Sequence, residues 1–113
     1  MTVYSQWCTY LINLWEAEYS VPLSTYIRFI GFQHFTDEKL LGRTWMKQKD
    51  DYLFCEIALS EKLDKDWKIK AVLWHEFCHA WAYCDTGKSQ SHGWEWVKRF
   101  WKKPVMAVLD LII

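Results

Sequence analysis

The run "WHEFCHAW", Trp74 to Trp81, constrains this chain more than any other stretch. It lies inside a segment from about Asp66 to Asp85 that reads as one long helix. Ile69, Val72, Leu73, Trp74, Phe77, Trp81 and Ala82 spread apolar side chains almost all round that helix, and such a helix is buried. Yet His75, Glu76 and His79 fall within five positions of one another in it. Taking a polar group out of water without a partner costs on the order of a few kcal/mol. Whatever fold the chain adopts must therefore supply partners for all three.

The spacing suggests one. Residues four apart lie on one helix face, so the imidazoles of His75 and His79 can converge on a single ion, with Glu76 pointing roughly 60° to one side. This is the pattern H-E-x-x-H, in which two histidines hold zinc and the glutamate works on the water that the ion activates. The competing reading is a buried helix whose histidines are satisfied by ordinary hydrogen bonds. A catalytic zinc takes three protein ligands and leaves a fourth position open. Three residues are candidates for the third. His92 follows across the polar loop "TGKSQS", where the next helix starts. Glu95 lies one turn into that helix. Asp85 lies six after His79, where a metzincin ligand would sit, but the helix-breaking glycine of that pattern is here Ala82, so the helix should carry Asp85 round to the far side. His92 is favoured, then Glu95, then Asp85. Without a metal, His92 would be a helix cap or surface residue, and Glu95 a favourable charge in a first helical turn.

Composition narrows the class. A chain of 113 residues predicts one domain, residues 1–113. Nine tryptophans provide large surfaces for a core. Lys+Arg and Asp+Glu both number 14, so no net field draws the protein to nucleic acid or anionic membrane. The four cysteines have no C-x-x-C spacing and read as reduced, buried thiols of an intracellular protein. There is no basic, signal-like N-terminus and no apolar run of the ~18 residues a membrane span needs, so the expectation is a cytoplasmic protein without a membrane partner.

Along the chain, helical spacing runs from Tyr4 to Tyr19 and is stopped by Pro22. Ser24–Phe32 reads as a strand ending near Gly31. "FTDEKLLG" reads as a turn or short helical segment. Arg43–Ser60 reads as two strands joined at "KDD", the second from Tyr52 to Leu59. Ser60, Asp64 and Asp66 are possible caps for the long helix, and Gly87 marks its end. "HGWEWVKRFWKK" predicts a second helix stopped by Pro104. The tail Val105–Ile113 fits either a helix or a strand. This order predicts an α+β fold, with a small antiparallel or mixed sheet packed on an N-terminal helix and a long helix.

At these residues the chain resembles the SprT-like (Spartan-type) zinc metalloproteases. That family's pattern is an apolar strand ending I-x-L-[SN], a helix with H-E-[LM]-x-H-A, then H-G-x-x-[FW] opening the next helix. The matching residues are Ile57, Leu59 and Ser60; His75, Glu76, His79 and Ala80; and His92, Gly93 and Trp96. Gly42 and Arg43 before the hairpin also fit, and the likeness covers roughly residues 42–103. The resemblance implies a zincin-like minimal metalloprotease that hydrolyses peptide bonds. It implies Zn2+ held by His75, His79 and His92, and Glu76 as general acid/base. It also implies that an extended protein or peptide substrate pairs with the edge of a strand, for which Tyr52–Leu59 is the natural candidate. Eukaryotic members degrade proteins crosslinked to DNA.

Other residues carry weaker signals. Tyr83 lies four after His79 and could donate to an oxyanion, though packing is the simpler role. Cys78 reads as a core thiol rather than a fourth ligand. Lys98, Arg99, Lys102 and Lys103 with Trp96 and Trp101 form a basic, aromatic strip. DNA contact there is conceivable, but a solvated helix face accounts for it better. The alternative to a peptidase is a zinc-stabilised module that cuts nothing and docks a protein or DNA through its tryptophans. The oligomeric state is not legible.

Overall fold

The computed structural model describes residues 6–89 and 91–113. These residues form a small α+β fold with a three-stranded mixed sheet and five helices. The first helix, α1, spans Gln6–Tyr19; the expected start at Tyr4 lies outside the described residues. Its stripe of Cys8, Leu11, Ile12 and Trp15 is buried. Trp15 stacks on Phe77 at 5.7 Å and meets Trp74 edge-on at 5.1 Å, which fixes α1 against the long helix.

The expected strand at Ser24 starts later. Leu23–Tyr26 forms one helical turn, α2, and β1 runs Ile27–Gln33. The cause is a long-range partner: the Ser24 N–H and Oγ–H both donate to Glu16 Oε2, at 3.1 and 3.0 Å. The two strands β2 (Gly42–Lys49) and β3 (Tyr52–Ser60) form the predicted hairpin, turning at Asp50 with φ 55°. Asp tolerates the left-handed region better than most residues.

The sheet order is β1-β3-β2, with β1 parallel and β2 antiparallel to β3. β3 is therefore the central strand, not the edge that the sequence suggested. Its run "CEIALS" is the more apolar, and a central position buries Cys55, Ile57, Ala58 and Leu59. "GRTWMKQK" of β2 is more polar and takes an edge.

The long helix α3 spans Asp66–Thr86, as its pattern predicted. Its N-cap is Lys65 and no side chain caps it. Asp64 pairs with Lys68 instead, at 3.3 Å, and Ser60 Oγ accepts from the Lys62 N–H at 3.2 Å. Gly87, with φ 73°, closes the helix in the left-handed conformation, and its N–H donates to Tyr83 O at 2.7 Å. The next helix, α4, is shorter than predicted: it covers Trp94–Phe100, with Gly93 as N-cap and His92 in the loop before it. Pro104 does not simply stop it. The chain turns at Trp101–Lys103, and Pro104 opens α5, Pro104–Ile112, as a first-turn proline whose missing N–H is no loss. Both α4 and α5 pack on α3. Among the described residues no helix is long and apolar enough to cross a membrane.

Candidate metal centre

α3 passes between the sheet and the α4–α5 pair, so its ionisable face meets neighbours on both sides. His75, His79 and His92 come together: each offers one ring nitrogen, and these three atoms lie within 4.8 Å of one another. The Nε2 atoms of His75 and His92 are 3.0 Å apart. Nitrogens around a tetrahedral ion with bonds of about 2.0–2.1 Å are roughly 3.3 Å apart, so small ring movements give a common centre. A donor set of three imidazoles suits a borderline divalent ion. These three histidines could hold one.

Trp96 is the floor of the cluster. Its ring lies 4.9, 5.3 and 4.6 Å from the rings of His75, His79 and His92, and its Nε1–H donates to the His75 carbonyl at 3.2 Å. His92 reaches the group because its own backbone is left-handed, φ 60°. That conformation is uncommon for a residue with a β-carbon and costs on the order of 1 kcal/mol. It turns the ring back toward α3 just before α4 begins.

Glu76 lies beside the cluster and is only 5 % exposed. Thr44 Oγ1, on β2, lies 3.1 Å from the Glu76 carbonyl and 3.2 Å from its Oε2, and its one proton can serve either. Burial pushes the Glu76 carboxyl up to about 7, against the pull of the His75 charge and the Thr44 hydroxyl. A carboxyl balanced near neutrality is suited to taking and returning a proton. Burial also lowers the His75 imidazole, but the hydrogen bond it donates to Asp110 and the charges of Glu76 and Asp110 outweigh it, and the net shift is upward. His92 shifts down, through burial and then the His75 charge.

Glu76 and His79 line an open cleft of about 240 Å3 with Thr44 and Met46 of β2 and Ser89 and Ser91 of the loop. A second hollow of about 200 Å3, lined by Leu41, Val72, His75 and Asp110, shares Gly42 and Glu76 with it. Glu76 thus stands between two hollows along the rim of β2.

A model of the SprT-like family matches residues 16–108. The chain belongs to the SprT-like family. Comparisons with curated proteins and with solved structures gave no match. The match is wider than the motif-bearing stretch, reaching back into α1 and forward into α5, and it encloses the three histidines, Glu76 and Thr44.

The other candidates of this SprT-like chain have different partners. Asp85 Oδ2 accepts from Arg99 Nη2 at 3.0 Å, and its Oδ1 accepts from Tyr26 Oη at 2.9 Å. Glu95 Oε1 accepts from Arg99 Nη1 at 2.9 Å and pairs with Lys98 at 3.0 Å. Tyr83 Oη donates to the Lys47 carbonyl at 3.3 Å. Cys78 is fully buried, and burial raises its thiol far above the usual range, so it behaves as core. The basic strip is largely neutralised: besides these pairs, Lys103 Nζ bonds Glu18 at 3.1 Å, and Lys102 lies over the Trp81 ring at 5.9 Å.

Thr44 and Asp110 were not legible as site residues. A threonine in a strand is ordinary, and nothing local says that it faces a helix 32 positions away. Asp110 interrupts an apolar tail, and that interruption was the one available signal.

Proposed function

We propose that the protein is a zinc-dependent peptidase, with His75, His79 and His92 holding the ion and Glu76 as general base and acid. The observation that carries this reading is the placement of Glu76. A site that only stabilises a fold needs ligands, whereas here a buried carboxylate stands beside the histidines, oriented by Thr44 and open to a cleft.

Zinc, when bound, supplies Lewis-acid polarisation of a carbonyl and makes water acidic enough to ionise near neutral pH. The chain's own residues do the rest. Glu76 accepts the proton of the attacking water, whose oxygen bonds the scissile carbonyl carbon. Glu76 then returns the proton to the amide nitrogen as the C–N bond breaks. Thr44 holds the carboxylate in place between the two transfers. The edge of β2, not β3, borders the cleft, so an extended polypeptide would add there as a further strand, with Gly42 to Met46 beneath it. Backbone pairing of this kind reads shape rather than sequence, and favours unfolded polypeptide as substrate. This arrangement is zincin-like in kind: an H-E-x-x-H helix, an edge strand above it, and a third ligand from the following segment.

The test uses denatured casein and zinc-loaded protein. Wild type should cut it and a chelator should stop cutting. Glu76→Gln should keep its zinc and lose cleavage by roughly 100-fold or more. A parallel arm with single-stranded DNA shows whether nucleic acid alters the rate. If zinc-loaded wild type leaves polypeptide as intact as Glu76→Gln does, with or without DNA, the chain is a zinc-stabilised binding module and the peptidase reading is wrong.

A further inference from the structure

We infer that Asp110, on α5, is the positioning residue of His75, fixing the tautomer and orientation with which that imidazole meets a metal. The inference rests on the three-histidine reading above and extends it to a residue beyond the 16–108 family match.

Asp110 Oδ2 lies 2.9 Å from His75 Nδ1. Both side chains are mostly enclosed, at 18 % and 23 % exposure. Asp110 is the sole charged residue in "PVMAVLDLI", and a carboxylate withdrawn from water in such a helix needs a specific partner. α5 has an inner side, where Ala107 is fully buried and Met106 packs on the core, and an outer side with Val105, Val108, Leu111 and Ile112 exposed. Asp110 is three residues from Ala107 and four from Met106, so it belongs to the inner side. There it meets α3.

The chemistry follows from the two ring nitrogens. With a carboxylate at Nδ1, the ring proton resides on Nδ1 and is donated to Asp110. The lone pair is then left on Nε2. That is the nitrogen facing His92 Nε2 at 3.0 Å, inside the cluster. A carboxylate behind the ring also makes the ligating nitrogen a better donor, and such outer partners are typically worth 10–100-fold in metal affinity. The Trp96 Nε1–H on the His75 carbonyl and the Phe100 ring at 5.9 Å hold the same residue from α4. His75 is thus braced from two helices, and α5 contributes the electrostatic part.

The experiment measures Zn2+ affinity by chelator competition on the full chain, for wild type, Asp110→Ala, Asp110→Asn and the outer-face control Leu111→Ser. The melting temperature of each metal-free protein is taken alongside. The Co2+ absorption spectrum of each variant reports ligand geometry independently of any activity. Asp110→Ala should lose 10–100-fold in affinity with an altered Co2+ spectrum. Asp110→Asn, whose amide oxygen can still accept from Nδ1–H, should recover part of the loss, and Leu111→Ser should match wild type. If Asp110→Ala melts early without metal, the isosteric Asp110→Asn decides: affinity equal to wild type overturns the inference. Folded Asp110→Ala with wild-type affinity and spectrum overturns it as well. If wild type itself binds neither ion, the three-histidine reading fails, and this inference with it.

Discussion

Gly42 on β2 stands so close to Glu76 on α3 that a β-carbon there would lie 2.9 Å from Glu76 Cγ and 2.8 Å from Val72 Cγ1. Neither contact is tolerable without a shift, and both neighbours belong to a packed helix. The absent side chain is what lets the edge strand descend onto the Glu76 side chain. Gly42→Ala should destabilise the fold by roughly 1–3 kcal/mol through overpacking. Cleavage should fall by more than the loss of folded protein accounts for, because Glu76 itself is displaced. Urea titration and the casein assay at matched folded fraction check the two effects separately.

The candidates for a third ligand separate by opposite outcomes. His92→Ala should weaken zinc binding and leave the fold intact, since His92 lies in a loop and is exposed. Asp85→Ala should leave zinc binding unchanged and instead cost stability. It removes one acceptor of Arg99, a guanidinium 9 % exposed, and the acceptor of Tyr26. Leaving such groups short of a partner costs roughly 1–3 kcal/mol. Zinc titration and thermal melting of both variants check this pair of expectations.

Tyr26 gives a pH dependence on the alkaline side. Burial, then the hydrogen bond to Asp85, pushes its phenol from 10.0 up to about 12. The folded state therefore keeps a proton that the unfolded chain releases. Stability from this group is fully present below pH 10 and is lost as pH rises from 10 toward 12. Tyr26→Phe should be less stable near neutrality and should show a shallower decline over that window. Melting temperatures of both proteins from pH 8 to 11.5 check the slope.

Trp74 ties α3 to the end of α4, donating from Nε1 to the Phe100 carbonyl at 2.9 Å with its ring fully buried. Trp74→Phe removes that donor and part of the ring. A loss of about 2–4 kcal/mol follows from the orphaned carbonyl and the small cavity together. α4 carries Trp96, so the histidine cluster should loosen too. Denaturant unfolding and zinc affinity of the variant check both consequences.

What the sequence revealed follows from how local each feature is. The pairing of His75 with His79 and the position of Glu76 are set by helical pitch alone, so they could be read directly. His92 was singled out by its place after the polar loop, where the next helix opens, while Ala82 in place of a helix-breaking glycine set Asp85 aside; the H-G-x-x-W motif pointed to the same residue. The centrality of β3 was missed because strand order depends on which neighbours close over it, and alternation within one strand does not record that. The α2 turn was missed because it is stabilised by Glu16, eight residues before Ser24. The tail stayed ambiguous between helix and strand until α5 was seen against α3, since one aspartate in an apolar run does not say which face is buried. Pro104 was read as a stop because a proline that ends one helix and a proline that opens the next look alike in sequence.

The most direct measurement is metal stoichiometry. Wild type and the single variants His75→Ala, His79→Ala and His92→Ala are loaded with Zn2+, dialysed against buffer and assayed for bound metal. About one equivalent per chain in wild type, with marked loss in each variant, is the predicted result. Wild type that retains no zinc, or three variants that all retain a full equivalent, would contradict the account.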